Sequence, residues 1–247
     1  MRHAEIFFDP QSHTARGIAF ETVVRGIERA LVEANDTLGV STKLIMCVLR
    51  HLSEEEGIKM LEKAMLWKQW IAGIGLDSSE RGNPPEKFIR LFERAHREGF
   101  LTVAHAGEEG SAASVKKALD TLHIVRIDHG VHCMEDERLV EELVRRQIPL
   151  TVCPLSNVRL RVFKSMKEHN LKTMLERGLC VTVNSDDPAY FGGYINENYI
   201  EAAIALDLDR DAIVRLAQNS FTASSLSTVH KELYRKEIDR YIQQESN

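Results

Sequence analysis

Three short clusters carry the side chains most suited to hydrolytic chemistry. His105-Ala106-Gly107-Glu108 sets an imidazole and a carboxyl three positions apart after an apolar run, and Asn184-Ser185-Asp186-Asp187-Pro188 sets adjacent carboxylates after another. A neutral imidazole suits a borderline cation such as zinc, and a nearby carboxyl can exchange a proton with a substrate or with activated water. Adjacent carboxylates repel unless a cation or hydrogen-bond donors hold them. Asp128-His129-Gly130 adds a second imidazole, followed by a residue whose backbone can come close to a ligand. Taken singly, each cluster has an ordinary reading: a hydrogen-bonded core histidine, a first-turn helix carboxylate, a turn or N-cap pair. Together, His105, Glu108, His129, Asp186 and Asp187 describe a hydrolytic metal site, provided that the fold brings them to one end.

The elements around these clusters alternate. Strand-like runs are expected at His3–Phe8, Lys43–Arg50, Ile71–Leu76, Phe100–Ala104, Ile124–Ile127, Ile148–Cys153 and Leu179–Val183. Helical spacing follows them over Phe20–Asn35, from Ser53 through Lys68, over Glu86–Glu98, Ala112–Leu122, Glu135–Arg146, Leu171–Arg177, Asn196–Leu206 and Asp211–Ser220, with a charged helix from Lys231. Ser53 with Glu56 forms a capping box, and Gly99 stops its helix. Strands followed by helices imply right-handed crossovers and a parallel sheet. No glycine-rich dinucleotide or phosphate loop follows any strand, so the reading is a (β/α)8 TIM-type barrel, incomplete, with seven of eight strands. In such a barrel the strand ends carry the chemistry, and here every one is polar: Asp9, Arg50-His51, Asp77-Ser78-Ser79-Glu80, His105, Asp128-His129, Pro154-Leu155-Ser156-Asn157 and Asn184-Ser185-Asp186-Asp187.

Composition narrows the classes. The 247 residues carry 32 Lys+Arg against 37 Asp+Glu, a net charge of -5, and no basic stripe or aromatic stacking run, which argues against a nucleic-acid binder. No apolar stretch approaches the length of a membrane span and no signal-peptide layout opens the chain, so a single domain over 1–247 in the cytoplasm is expected. Cys47, Cys133, Cys153 and Cys180 form no Cys-x-x-Cys pair and read as reduced, buried, small apolar residues.

The clusters together resemble the adenosine/adenine deaminase family of the metal-dependent amidohydrolases. The pieces are Thr102-Val103-Ala104-His105-Ala106-Gly107-Glu108-Glu109, Arg126-Ile127-Asp128-His129-Gly130-Val131, Leu150-Thr151-Val152-Cys153-Pro154-Leu155-Ser156-Asn157 and Val183-Asn184-Ser185-Asp186-Asp187-Pro188, in that order. Ile6-Phe7-Phe8-Asp9-Pro10-Gln11-Ser12-His13-Thr14 and Gly75-Leu76-Asp77-Ser78-Ser79-Glu80 resemble the adenine-type branch. The resemblance implies zinc-dependent conversion of adenine to hypoxanthine and ammonia, in purine salvage. It implies His105 and Asp186 as zinc ligands, Glu108 as proton donor, His129 as the residue that orients or deprotonates the water, and Asp187 at the purine. Ser79 and Glu80 are placed at the substrate; the Glu80 carboxylate would accept from N9–H of free adenine and leave no room for ribose.

The family pattern also opens with a strand carrying a His-x-His pair, which supplies two further zinc ligands, and no His-x-His occurs among the ten histidines here. The expectation is therefore a barrel without its first strand and with impaired or absent activity alone. A complementing N-terminal segment or homo-oligomer would be its partner besides the small purine. The rival readings are an adenosine or other 6-aminopurine deaminase and a non-catalytic remnant of the fold.

Overall fold

The computed structural model describes residues 1–244 and divides into two compact units. The first comprises Met1–His105 with Lys117–Val125; the second comprises Ala106–Lys116 and the chain from Arg126 onward.

In the first unit, β1 (His3–Phe8), β2 (Ser41–Leu49), β3 (Ile71–Asp77) and β4 (Leu101–Ala106) lie side by side in sequence order, all parallel. Phe8 pairs with Met46, and Leu49 with Asp77. Leu44 to Val48 are buried without interruption, as expected for a parallel strand covered on both faces. Ile45, Cys47 and Val103 form a core cluster against which Phe7 packs. The helices Phe20–Leu38, Glu54–Ala64 and Ile89–Arg97 connect the strands. Ser53 caps the second of these by accepting from the Glu56 amide at 3.3 Å.

The second unit holds β5 (Arg126–His129), β6 (Leu150–Val152) and β7 (Val181–Val183), again parallel and in order. Ile127 pairs with Leu150, and Leu150 with Val181. Asp136 caps the helix Glu137–Arg146 by accepting from the Arg138 and Leu139 amides, and Asp209 caps Arg210–Ala223. The long helices Ile195–Leu206 and Thr228–Gln244 complete the order. Seven parallel strands, each followed by helix, make the alternation of the α/β barrel type.

The boundaries differ from the sequence reading where the chemistry sits. β4 runs two residues beyond Ala104, so His105 lies within the strand rather than after it. β5 begins later than Ile124 and takes in His129. Short helices that periodicity does not reveal begin at Pro10, Pro154 and Pro188. In each case proline occupies the first turn, and the preceding Asp9, Cys153 or Asp187 is held out of the helical region. Two strands, β1 and β6, thus end in the same tight turn into a helix, and β7 reaches its helix after a longer loop.

Candidate active site

The second unit assembles most of the expected residues. His129 closes β5 with a left-handed φ of 64° and is followed by Gly130 at 72°. Two consecutive left-handed residues turn the chain sharply, and the amide of His132 then donates to the Gly107 carbonyl at 3.0 Å, tying this turn to the loop that bears Glu108. His129 is buried, and its Nδ1 lies 3.2 Å from Glu108 Oε1 while its Nε2 lies 3.9 Å from Asp186 Oδ2. Asp186 also has a left-handed φ, 54°. Non-glycine residues in this region cost about 1–3 kcal/mol each and persist where surrounding structure fixes them. On β5, Asp128 is held by Thr151 Oγ1 at 2.9 Å and lies 3.6 Å from Arg126 Nε.

Asn157, to which the sequence reading assigned no role, is the centre of this group. Wholly buried in the helix Pro154–Arg159, it donates from Nδ2 to Glu108 Oε1 at 3.0 Å and lies 3.3 Å from His129 Nδ1. Its Oδ1 meets His169 Nε2 at 3.3 Å. Asn157 stood among the polar strand ends and could have been singled out on that ground; nothing local marks His169. Asp187 is exposed and precedes the helix Pro188–Phe191, with its carbonyl accepting from the Tyr190 and Phe191 amides.

Cys153 also lies here, with its sulfur and the donor atoms of His129 and Asp186 all within 4.8 Å of one another. Burial, reinforced by the negative charges of Asp186, Glu108 and Asp128, pushes its thiol well above the ordinary value. It remains a thiol at neutral pH. All four cysteines are free and buried, as expected; burial lifts Cys133 to about 12 and raises Cys180.

The first unit holds the other strand ends. His105 on β4 packs its ring against Phe7, with centroids 5.8 Å apart. Asp9, Cys47 and Asp77 bring their donor atoms within 4.8 Å of one another. Burial raises the Asp77 carboxyl well above its usual range, and the neighbouring Asp9 adds to the shift; His105 and Cys47 oppose it. Ser79 is exposed and accepts at its carbonyl from Asn83 Nδ2. Glu80 is buried, with Oε2 3.9 Å from the buried Arg50 Nη1.

With this arrangement described, the comparisons are informative. The adenosine deaminase family model matches residues 1–241. The chain belongs to the adenosine deaminase family. Its members are hydrolases of carbon–nitrogen bonds in cyclic amidines. The chain is 68% identical over 239 residues to an adenine deaminase of Chlorobium luteolum, covering 97% of this chain and 70% of the relative. A 55% match to the adenine deaminase of Hahella chejuensis covers 98% and 72%. Among solved structures, an adenine deaminase from Arthrobacter aurescens superposes with a TM-score of 0.95 at 49% identity, covering 98% of this chain and 74% of that one. An amidohydrolase from Burkhoderia ambifaria, solved with bound zinc, gives 0.92 at 26% identity, covering 99% and 69%.

Amidohydrolases are typically metal-dependent, and the donor chemistry present fits zinc. Asp186 offers a carboxylate oxygen, and His129 Nε2 lies 3.9 Å from its Oδ2, a spacing that admits one water between the two. Among the described residues no helix is long and apolar enough to cross a membrane.

Proposed function

We propose that this protein hydrolyses adenine to hypoxanthine and ammonia, a purine-salvage reaction. The carrying observation is the Glu108–His129–Asp186 chain, at 3.2 and 3.9 Å around the buried His129, in a sequence 68% identical to an adenine deaminase. Asp186 would be a ligand of a zinc ion. When bound, zinc supplies a Lewis acid that makes water acidic near neutral pH.

The protein's own groups do the rest. His129 takes the proton of the water that adds to C6, and Glu108, in its carboxyl form, donates to ring N1 as electrons move onto the ring. His129 passes the proton it took to the amino group, which leaves as ammonia, and the C6 hydroxyl returns its proton to Glu108, leaving the carbonyl of hypoxanthine. Asp187 positions the purine. Glu80 selects the free base by accepting from N9–H where a nucleoside carries ribose. Its burial beside Arg50 keeps that carboxylate in place.

The decisive assay measures ammonia release from adenine and adenosine with added zinc. It is run on the chain alone and with the part of the Chlorobium luteolum relative that this chain does not span. Adenine is expected to be the better substrate, with a complementing segment raising the rate. No ammonia from adenine in either arm, or a preference for adenosine, would refute the proposal. Glu80→Gln should lower the adenine-to-adenosine ratio of kcat/KM by at least about tenfold, because a site built to accept a hydrogen bond discriminates strongly. An unchanged ratio removes Glu80 from the recognition of the base.

A further inference from the structure

His169 lies in the loop after the helix Pro154–Arg159, remote in sequence from every cluster described above. It is buried, and each of its ring nitrogens has a partner. The Leu171 amide donates to Nδ1 at 3.0 Å. A nitrogen that accepts carries no proton, so the neutral ring is the Nε2–H tautomer. That hydrogen faces Asn157 Oδ1 at 3.3 Å. With the amide oxygen so engaged, the amide nitrogen of Asn157 is turned the other way, to Glu108 Oε1 at 3.0 Å. We propose that His169 is a positioning residue: acting through Asn157, it fixes the orientation of the Glu108 carboxyl from which the proton is transferred. The proposal rests on the reading of Glu108 as proton donor.

Three further observations support it. Phe163 lies against the His169 ring with centroids 4.3 Å apart at 34°, restricting its rotation. The Asn157 carbonyl accepts from the Val162 and Phe163 amides, so the loop is closed onto the residue whose side chain it orients. Burial pushes the imidazole down to about 4, so the ring stays neutral and keeps the tautomer that Leu171 selects. The consequence for the chemistry is specific: Asn157 Nδ2 and His129 Nδ1 both meet Oε1 of Glu108, at 3.0 and 3.2 Å, so the Glu108 carboxyl is set with respect to His129.

Two measurements test this. In the wild type, ¹⁵N NMR of His169 should show a protonated Nε2 and an unprotonated Nδ1 at neutral pH; the opposite tautomer would overturn the inference whether or not purines turn over. In the assay above, His169→Leu should lower kcat about tenfold with KM for adenine within about twofold, as expected for an orientation needed chiefly in the transition state. His169→Gln, which keeps a donor within reach of Asn157 Oδ1, should recover kcat to within about threefold of wild type. Equal losses in both variants, or unchanged kcat in folded His169→Leu, would show packing alone. Should the leucine variant not fold, the glutamine variant and the wild-type tautomer still decide. Wild-type protein that releases no ammonia defeats the functional reading and leaves the tautomer result standing.

Discussion

Glu108 and His169 show how two groups in one unit are set to opposite tasks by their surroundings. Glu108 sits at an oxygen-and-nitrogen junction, where Asn157 and His129 address one of its oxygens. Glu108→Gln cannot transfer a proton, and kcat for adenine deamination should fall at least about 10²-fold with little change in thermal stability. A loss below tenfold would move the donor role elsewhere. His169, by contrast, is held neutral with its pKa lowered from 6.5 to about 4 by burial. Its effect on stability has a definite sign. Between these values the unfolded chain binds a proton that the folded chain does not, so stability falls as pH falls through that window. Urea unfolding at pH 7 and pH 5 should show wild type losing about 2 kcal/mol more than His169→Gln. Parallel losses would mean that the ring titrates normally in the folded state.

Elements place these groups by two devices. One is the proline turn: Asp9-Pro10 and Cys153-Pro154 each follow a strand directly and open a short helix, and Asp187-Pro188 opens another four residues after β7, so the residue before each helix is set by the fixed geometry of proline. The other is close backbone approach after β5. A Cβ on Gly130 would meet Leu150 Cδ2 at 2.3 Å and Ile127 Cγ2 at 3.2 Å, and its φ is left-handed. Gly107 has the same hand and lies 3.6 Å from the Gly130 Cα by the same measure. Gly130→Ala should therefore cost ~2 kcal/mol or more in denaturant unfolding, through strain and overpacking together. It should also reduce activity beyond the stability loss, because it adjoins His129. A variant as stable as wild type would show that β6 repacks freely.

At the scale of the molecule, apolar burial accounts for the thiols as well as the strands. Cys47 lies on β2, while Cys133, Cys153 and Cys180 lie in the second unit, and all four are buried. A thiol reagent should find essentially no reactive cysteine in the native protein and all of them after denaturation. Rapid reaction of one in the native state would mark a unit that opens readily. The strand–helix alternation was readable along the chain because each segment's apolar period is a local property, and all seven strands occur where apolar runs were expected, β1 with the same bounds and the other six with shifted ends. The ends shifted because pairing decides them: β5 takes in His129 and β6 shrinks to Leu150–Val152 where the ladder to its neighbours stops.

The sequence by itself determined the class of chemistry. Side-chain types at strand ends do not depend on packing, so His105, Glu108, His129, Asp186 and Asp187 could be picked out, and with them the adenosine deaminase family. Tertiary structure alone decided which atoms meet. Asn157 and His169 lie twelve residues apart, and Asn157 and Glu108 forty-nine, so no periodicity connects them. Glu80 likewise became a buried partner of Arg50, thirty residues upstream, only through folding. Hydrogen-bond direction, tautomer and burial are properties of neighbours in space, and the chain specifies those neighbours through packing rather than through any local pattern.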